Sequence, residues 1–525
     1  MDSNFFSPLA NRLITEFEKD DAPFLKDKKI SVNPIISRVA SLYEKLRNVM
    51  DYREEEVVRR AAIERILKRR FLFGGNGKTI AEPLLRELVW ARYFPDESIS
   101  ESVIEKIAED INLYILLREQ VLLKHPGFGE GVLNEWMYHL MSAHIENTLG
   151  KKREKEVMTN FMFKVMKDNI AITDDTEQTK DVQVFIAVHK SFAKDDLAFL
   201  RFYLFKQIFP ALSKENIESI SSSFLAGYKE IQRQLDYPRK DKILNYVKDK
   251  TAVFFILEDL LKLEKNRIRT LCREQKEIQK VVFEICEARY NGIASKIRRA
   301  TIRSVFFVLL TKTFFALAIE GTFESVFYGR ILWRSTLLNI GVPPLLMTVI
   351  GLFIKAPDEE NSKRIFSYIT SLLIDKEPRF KETLSIKKNP DKINPLINFI
   401  FTSLWLATFI LAFGLIVFLL RTLNFNILSL GIFIFFLAIV SFLSYRINQS
   451  ANVYSIEQKK NIAAPIVDFL FMPLVRVGRH LTDGISQLNI FLFVLDFIIE
   501  TPFKGFFAFS EQWFLFLQSK REELG

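Results

Sequence analysis

Residues 396 to 445 read LINFIFTSLWLATFILAFGLIVFLLRTLNFNILSLGIFIFFLAIVSFLSY, with Arg421 as the one charge in the stretch. Two apolar runs, Leu396 to Leu420 and Ile427 to Tyr445, flank a short polar turn. At a rise of about 1.5 Å per residue, roughly 20 apolar residues cover the ~30 Å of hydrocarbon in a bilayer. Each run therefore predicts a membrane-crossing helix, and the pair fixes the class of the C-terminal half.

Working towards the N-terminus, two further runs fit a crossing less cleanly: 304 to 320 and 337 to 354. The second contains Pro343-Pro344, which predicts a helix break, because proline lacks the N–H that a helix needs and its ring crowds the preceding turn. The first contains Lys312, and a charge near the centre of a span is costly and needs protein, water or an acidic partner. Glu320 is eight residues on, about 12 Å away by α-helical rise, and so reads as a poor partner. Asp496 is the expected one, which would fold the run Leu488 to Ile499 against the first span.

Behind the fourth run, Ala464 to Val475 and Leu488 to Ile499 are each about 12 residues, too short to cross as straight helices. They predict interfacial or re-entrant segments. Thr501 and Pro502 then suit an N-cap and first helical position, followed by Phe503, Phe506, Phe507, Phe514 and Leu517 mainly on one face, as in a helix lying in the headgroup plane.

Basic residues set the expected orientation. Lys296, Arg298, Arg299 and Arg303 precede the first run, and residues 355 to 395 carry nine Lys and Arg. The segment after the first run offers Arg330 and Arg334, and the turn after the third only Arg421. An even number of crossings satisfies every flank, with 321 to 336 outside and both termini cytoplasmic in a multi-pass protein of a bacterial inner membrane. The juxtamembrane cations expect anionic headgroups as partners.

Residues 35 to 300 show the 3.6-residue periodicity of amphipathic helices. Ser98 with Glu101 predicts a capping box ahead of Ile104, Ile107, Ile111 and Tyr114. Strand alternation is nearly absent, Val182 to Val188 being the ambiguous run. The expected fold is all-α: a helical cytoplasmic N-terminal region, then a C-terminal bundle of about four transmembrane helices with short interfacial helices. The expected divisions are a flexible arm at 1–34, helical soluble domains at 35–172 and 182–300, the transmembrane region at 301–463 and interfacial or re-entrant helices at 464–525. The polar stretch 173 to 181 serves as the internal boundary, and a long helix from about 262 leads into the first span.

Composition excludes some functions. Of 525 residues, 50 are Phe, many after Ile302. The net charge of +10 divides evenly about residue 300, so it is no basic tail and no nucleic-acid partner is expected. Arg201 to Lys206 (RFYLFK) mixes aromatic and basic residues, but on a helix this is a core stripe with a solvated edge. Cys272 and Cys286 lack metal or redox spacing and read as reduced thiols. The opening Met-Asp-Ser-Asn-Phe-Phe has no basic region leading into an apolar one, so no cleaved secretory signal is expected.

Motifs for chemistry are weak. Gly77-Lys78-Thr79 ends like a phosphate-binding loop, but the position five before Gly77 is Leu72 and a basic helix precedes it, so the stretch reads as a turn. Glu135, His139, His144 and Glu146 are the densest His/acid cluster, yet His144 lies about 140° round a helix from His139. His125, His189 and His480 have no partner spacing. Asp468, Arg476, Arg479 and His480 form the one polar group after the spans. No cofactor or metal is expected, and no reaction can be derived. The leading expectation is a membrane-anchored helical scaffold or adaptor binding a protein partner, or itself as a homo-oligomer, at the cytoplasmic face. The alternatives are an oligomeric channel or transporter, for which Lys312, Pro343-Pro344, Asn398, Thr402 and Thr408 speak, and an interfacial enzyme acting on lipid.

Overall fold

A computed structural model describes residues 5–19, 29–32, 57–72, 74–150, 153–330, 333–388, 395–456 and 464–487, with isolated positions between 34 and 44 and between 505 and 520; within 464–487, side chains are described for 471–482. These residues are overwhelmingly helical, with one pair of three-residue strands. They form two compact units. Leu9–Lys248 with Arg379–Lys388 makes one, and Asp249–Pro378 with Asn389–Asn489 the other.

The first unit holds α1 (Pro8–Glu18), α2 (Val58–Leu72), α3 (Gly77–Trp90), α4 (Glu101–Lys124), α5 (Glu130–Leu149), α6 (Arg153–Lys167), α7 (Glu177–Val188), α8 (Leu197–Ile208) and α9 (Ile217–Leu235). The apolar stripes of α2 to α5 and of α7 to α9 converge on one core that includes Ile63, Leu84, Ile111, Leu140, Leu200 and Phe224. Residues on both sides of the polar stretch 173–181 enter this core, Ile145 and Ile186 among them. The stretch therefore lies inside one packed unit, and α10 (Lys240–Leu263) carries the chain from this unit to the next.

Local chemistry accounts for the helix starts. Asn76 caps α3, accepting from the Thr79 N–H while the Thr79 hydroxyl accepts from the Asn76 N–H. Gly77 is needed because a Cβ there would sit 1.8 Å from the Ala108 carbonyl oxygen of α4, and its N–H donates to Asn112 Oδ1 at 2.8 Å. Residues 74–79 are thus a helix-to-helix turn. The cap expected at Ser98 is Ser100, which opens α4, while the Ser98 hydroxyl donates to the Pro95 carbonyl. Val182 to Val188 is helical. The strands β1 (Ile170–Ile172) and β2 (Leu384–Ile386) pair in parallel, Ile170 opposite Leu384. Lys388 fastens this return, pairing with Asp175 at 2.9 Å.

The second unit begins with α11 (Ile268–Leu271) and α12 (Gln275–Phe315). A π-helical turn (Ala316–Gly321) continues α12 into α13 (Thr322–Tyr328). Then come α14 (Trp333–Phe353), α15 (Glu359–Ile374), α16 (Pro395–Thr422), α17 (Ile427–Ala451) and α18 (Ala464–Gln487). Four helical stretches are long and apolar enough to cross a membrane: 275–328, 333–353, 395–422 and 427–454. Val308 of α12, Met347 of α14 and Phe436 and Val440 of α17 make a shared core. Close backbone approach is built in with glycine: a Cβ on Gly351 would meet Thr301 Cγ2 at 2.3 Å, and one on Gly478 would meet the Ala438 carbonyl oxygen at 2.0 Å. Much of α16 is bare, with Leu404, Ile410, Leu415 and Phe418 all more than half exposed. An apolar rod of this kind is stable in lipid and not in water.

Two expectations change here. Residues 464–475 continue to Gln487 as one 24-residue helix across Pro473, because Gly478 lets α18 lie directly on α17. The break at Pro343-Pro344 is absent: α14 runs through both, and both are buried. The ring of Pro343 removes a donor without ending the helix, since the flanking turns are packed on α12 and α17. The segment 355–395 likewise contains α15 and β2.

Candidate functional site

Five polar side chains of the second unit are fully buried together: Lys312, Glu320, Glu324, Asn339 and Ser429. Lys312 comes from the last turns of α12 and Glu320 from the π turn. Glu324 is on α13, Asn339 on α14 and Ser429 in the first turn of α17. Lys312 Nζ lies 3.8 Å from Glu320 Oε1 and 4.7 Å from the centre of the Phe436 ring. This corrects the expectation that Glu320 is too remote. A π turn has more residues per turn and less rise than an α turn, so the six residues Ala316–Gly321 draw Glu320 back towards Lys312. The other expected partner, Asp496, lies outside the described residues.

The carboxylates are held by amides and a hydroxyl. Asn339 Nδ2 donates to Glu320 Oε1 and, at 3.3 Å, to the Ser429 carbonyl. Ser429 Oγ donates to Glu320 Oε2 at 3.4 Å, and Asn426 Nδ2 to Glu324 Oε1 at 2.7 Å. Asn426 also N-caps α17, so both carboxylates face the positive end of a 25-residue helix. Two atoms stay unsatisfied: Lys312 Nζ, at ion-pair distance, makes no hydrogen bond, and neither does Asn339 Oδ1. Pro343 removes the amide that would bond the Asn339 backbone carbonyl in a regular α-helix. The cluster thus offers oxygen atoms in surplus over donors. Next to it, Gly321, Thr322, Ser325 and Thr336 line a cleft of about 340 Å³.

The basic flank Lys296, Arg298, Arg299 and Arg303 occupies exposed positions of α12 before its apolar part. Arg476 of α18 stacks over Trp405 at 5.8 Å. Cys272 and Cys286 are buried, unpaired thiols, and burial pushes the Cys272 thiol up to about 12.

The His/acid residues of the first unit join ion pairs. His139 Nδ1 is 2.8 Å from Arg201 Nη1, with Glu64 and Glu135 3.7 and 3.9 Å from its Nε2. His144 stacks on Phe202, and Glu146 accepts from Arg59 Nε at 2.9 Å. His189, without a partner by spacing, meets Asp195 at 2.6 Å. Among the described residues no three His, Cys, Asp or Glu side chains converge as metal ligands. The basic helix α2 is absorbed internally. Arg60, 2% exposed, pairs with Glu64 and, at 2.6 Å, with Asp196; Arg65 pairs with Glu44 and Arg69 with Glu87. Apart from Glu64, which lies one turn along α2, these acids come from elsewhere in the chain, and no sequence signal announced those pairs. Compared with known proteins, the chain matches no family model, no curated protein and no solved structure.

Proposed function

We propose that the chain is a multi-pass membrane protein that binds and passes a small cation, a proton or an alkali ion, through the cluster around Lys312 and Glu320. The carrying observation is the fully buried Lys312 ammonium, paired at 3.8 Å yet without a hydrogen bond. A charge pair kept only for stability would close to about 2.8 Å, and an apolar pair of equal volume would be as stable or more so. An ionisable group inside a span is by default a functional site. The π turn that sets the pair is also a geometry that recurs at such sites. Neither the scaffold reading nor the lipid-enzyme reading gains a comparable feature. The juxtamembrane cations support a cytoplasmic start to the first span and contact with anionic headgroups.

The test is ion flux into vesicles containing the purified full-length protein, run separately with a pH gradient and with Na⁺ and K⁺ gradients. Flux in one arm, reduced about tenfold or more by Lys312→Met or Glu320→Gln, is the expected result. Absence of flux in all three arms, or flux unchanged in both variants, overturns the proposal.

A further inference from the structure

We infer that the oxygen pocket around Glu320 is a site for a potassium-sized alkali cation, and that the Lys312 ammonium is the occupant it holds in this conformation. The inference deepens the proposed function by naming the ion class and the residue that competes with it. The two carboxylate oxygens of Glu320 and the hydroxyl and carbonyl oxygens of Ser429 are brought together by the bonds just described, and Asn339, whose amide nitrogen bridges Glu320 and Ser429, carries a further buried oxygen. Hard oxygen donors of this kind, carboxylate and carbonyl with a hydroxyl, suit a hard cation.

Two independent observations indicate an exchangeable occupant. Lys312 Nζ is 0% exposed and gives none of its three hydrogens to an acceptor, standing 3.8 Å from the nearest carboxylate oxygen. Asn339 Oδ1, also fully buried, receives no donor although its own amide nitrogen is bonded to Glu320. A permanent structural pair would satisfy both, because unsatisfied buried polar atoms are expensive. An ammonium group and a potassium ion are close in size and carry the same charge. A tethered ammonium can therefore neutralise the pocket without completing its coordination, and withdraw when a free cation enters.

The experiment uses full-length protein in mild detergent and follows the thermal unfolding midpoint at constant ionic strength in KCl, RbCl, NaCl and choline chloride. Lys312→Met empties the pocket of its tethered cation. Its midpoint is expected to rise saturably, by about 3 °C or more, in K⁺ and Rb⁺ relative to choline. Wild type should respond several-fold less at the same salt, because its tethered ammonium competes for the pocket, and Lys312→Met with Glu320→Gln should lose the response. Equal midpoints in all four salts overturn the inference, as does the same response in wild type. A Lys312→Met protein that folds in no salt also overturns it, since a replaceable ammonium is dispensable when its replacement is supplied. The outcomes separate from those of the flux test: a K⁺ response without wild-type flux keeps the site and removes the transport, and flux without a K⁺ response does the reverse.

Discussion

Glu64 of α2 ties the first unit to pH through the cations beside it. Burial alone would raise its carboxyl, but Arg60 and Lys68 overcome this and hold it at about 2, against an ordinary value of 4.5. A carboxyl depressed in the folded state stabilises it at every pH above 4.5, and that stabilisation fades as pH falls from 4.5 towards 2. The shift corresponds to roughly 3 kcal/mol. His139 acts in the same sense at higher pH: burial lowers its affinity for a proton, so protonation below its ordinary 6.5 weakens the fold. Following helicity of the full-length protein during acid titration, Glu64→Gln should lower stability at pH 7 and flatten the loss between pH 4.5 and 2. An unchanged acid profile in that variant would show that the Arg60 network does not govern it. The sequence displays the six cations of α2 but not their fate. A basic helix looks the same whether its arginines face solvent or, as Arg60, Arg65 and Arg69 do, meet acids on α2 itself or at Glu44, Glu87 and Asp196.

At the scale of elements, α16 and α17 were legible because uninterrupted apolar length is a local property, and both begin within a residue or so of where hydropathy puts them. The α18 helix was half legible: apolarity ends near Val475, but glycine contact with α17 carries it on to Gln487. The Lys312 to Glu320 contact was hidden, because spacing arguments assume α-helical rise and the six residues after Phe315 do not follow it. That geometry can be tested directly. Inserting one alanine after Leu317 should turn Glu320 by about 100° away from Lys312 and add one residue of rise between them. The expected consequence is a destabilisation of about 3 to 5 kcal/mol, as for breaking a buried pair, read as a fall in the detergent unfolding midpoint. An insertion variant with wild-type stability and wild-type flux would show that the turn does not set the site.

For the whole molecule, the parallel pairing of β1 with β2 constrains how the chain threads a bilayer. Residues 170–172 precede the first crossing and 384–386 follow the second, yet they share one ladder and one compact unit. Two strands can pair only on one side of a membrane, so if α12 crosses, α14 must cross back. We propose that this side is the cytoplasm, because 355–395 carries nine Lys and Arg. A cysteine introduced at exposed Phe327, between these crossings, should react with an impermeant reagent in intact cells, and one at exposed Glu382 should not. Labelling at 382 but not 327 would invert the topology, and labelling at neither would remove the paired crossing. This constraint was invisible in the sequence, where 384–386 sits in a charged stretch with no alternation to mark a strand.

The same short ladder bears on biosynthesis. Lys388 and Asp174, whose contact closes it, are 214 residues apart. At about 5 to 20 residues per second a ribosome takes roughly 10 to 40 s to cover that distance. Throughout that interval β1 lacks its partner strand, while α12 and α14, the two apolar segments between them, are synthesised. If they enter the bilayer as a hairpin, β2 is returned to the waiting unit and the ladder zips. If only one of them crosses, β2 emerges on the opposite side and the ladder cannot form. Formation of the three-residue strand pair is thus compatible only with both segments crossing or with neither.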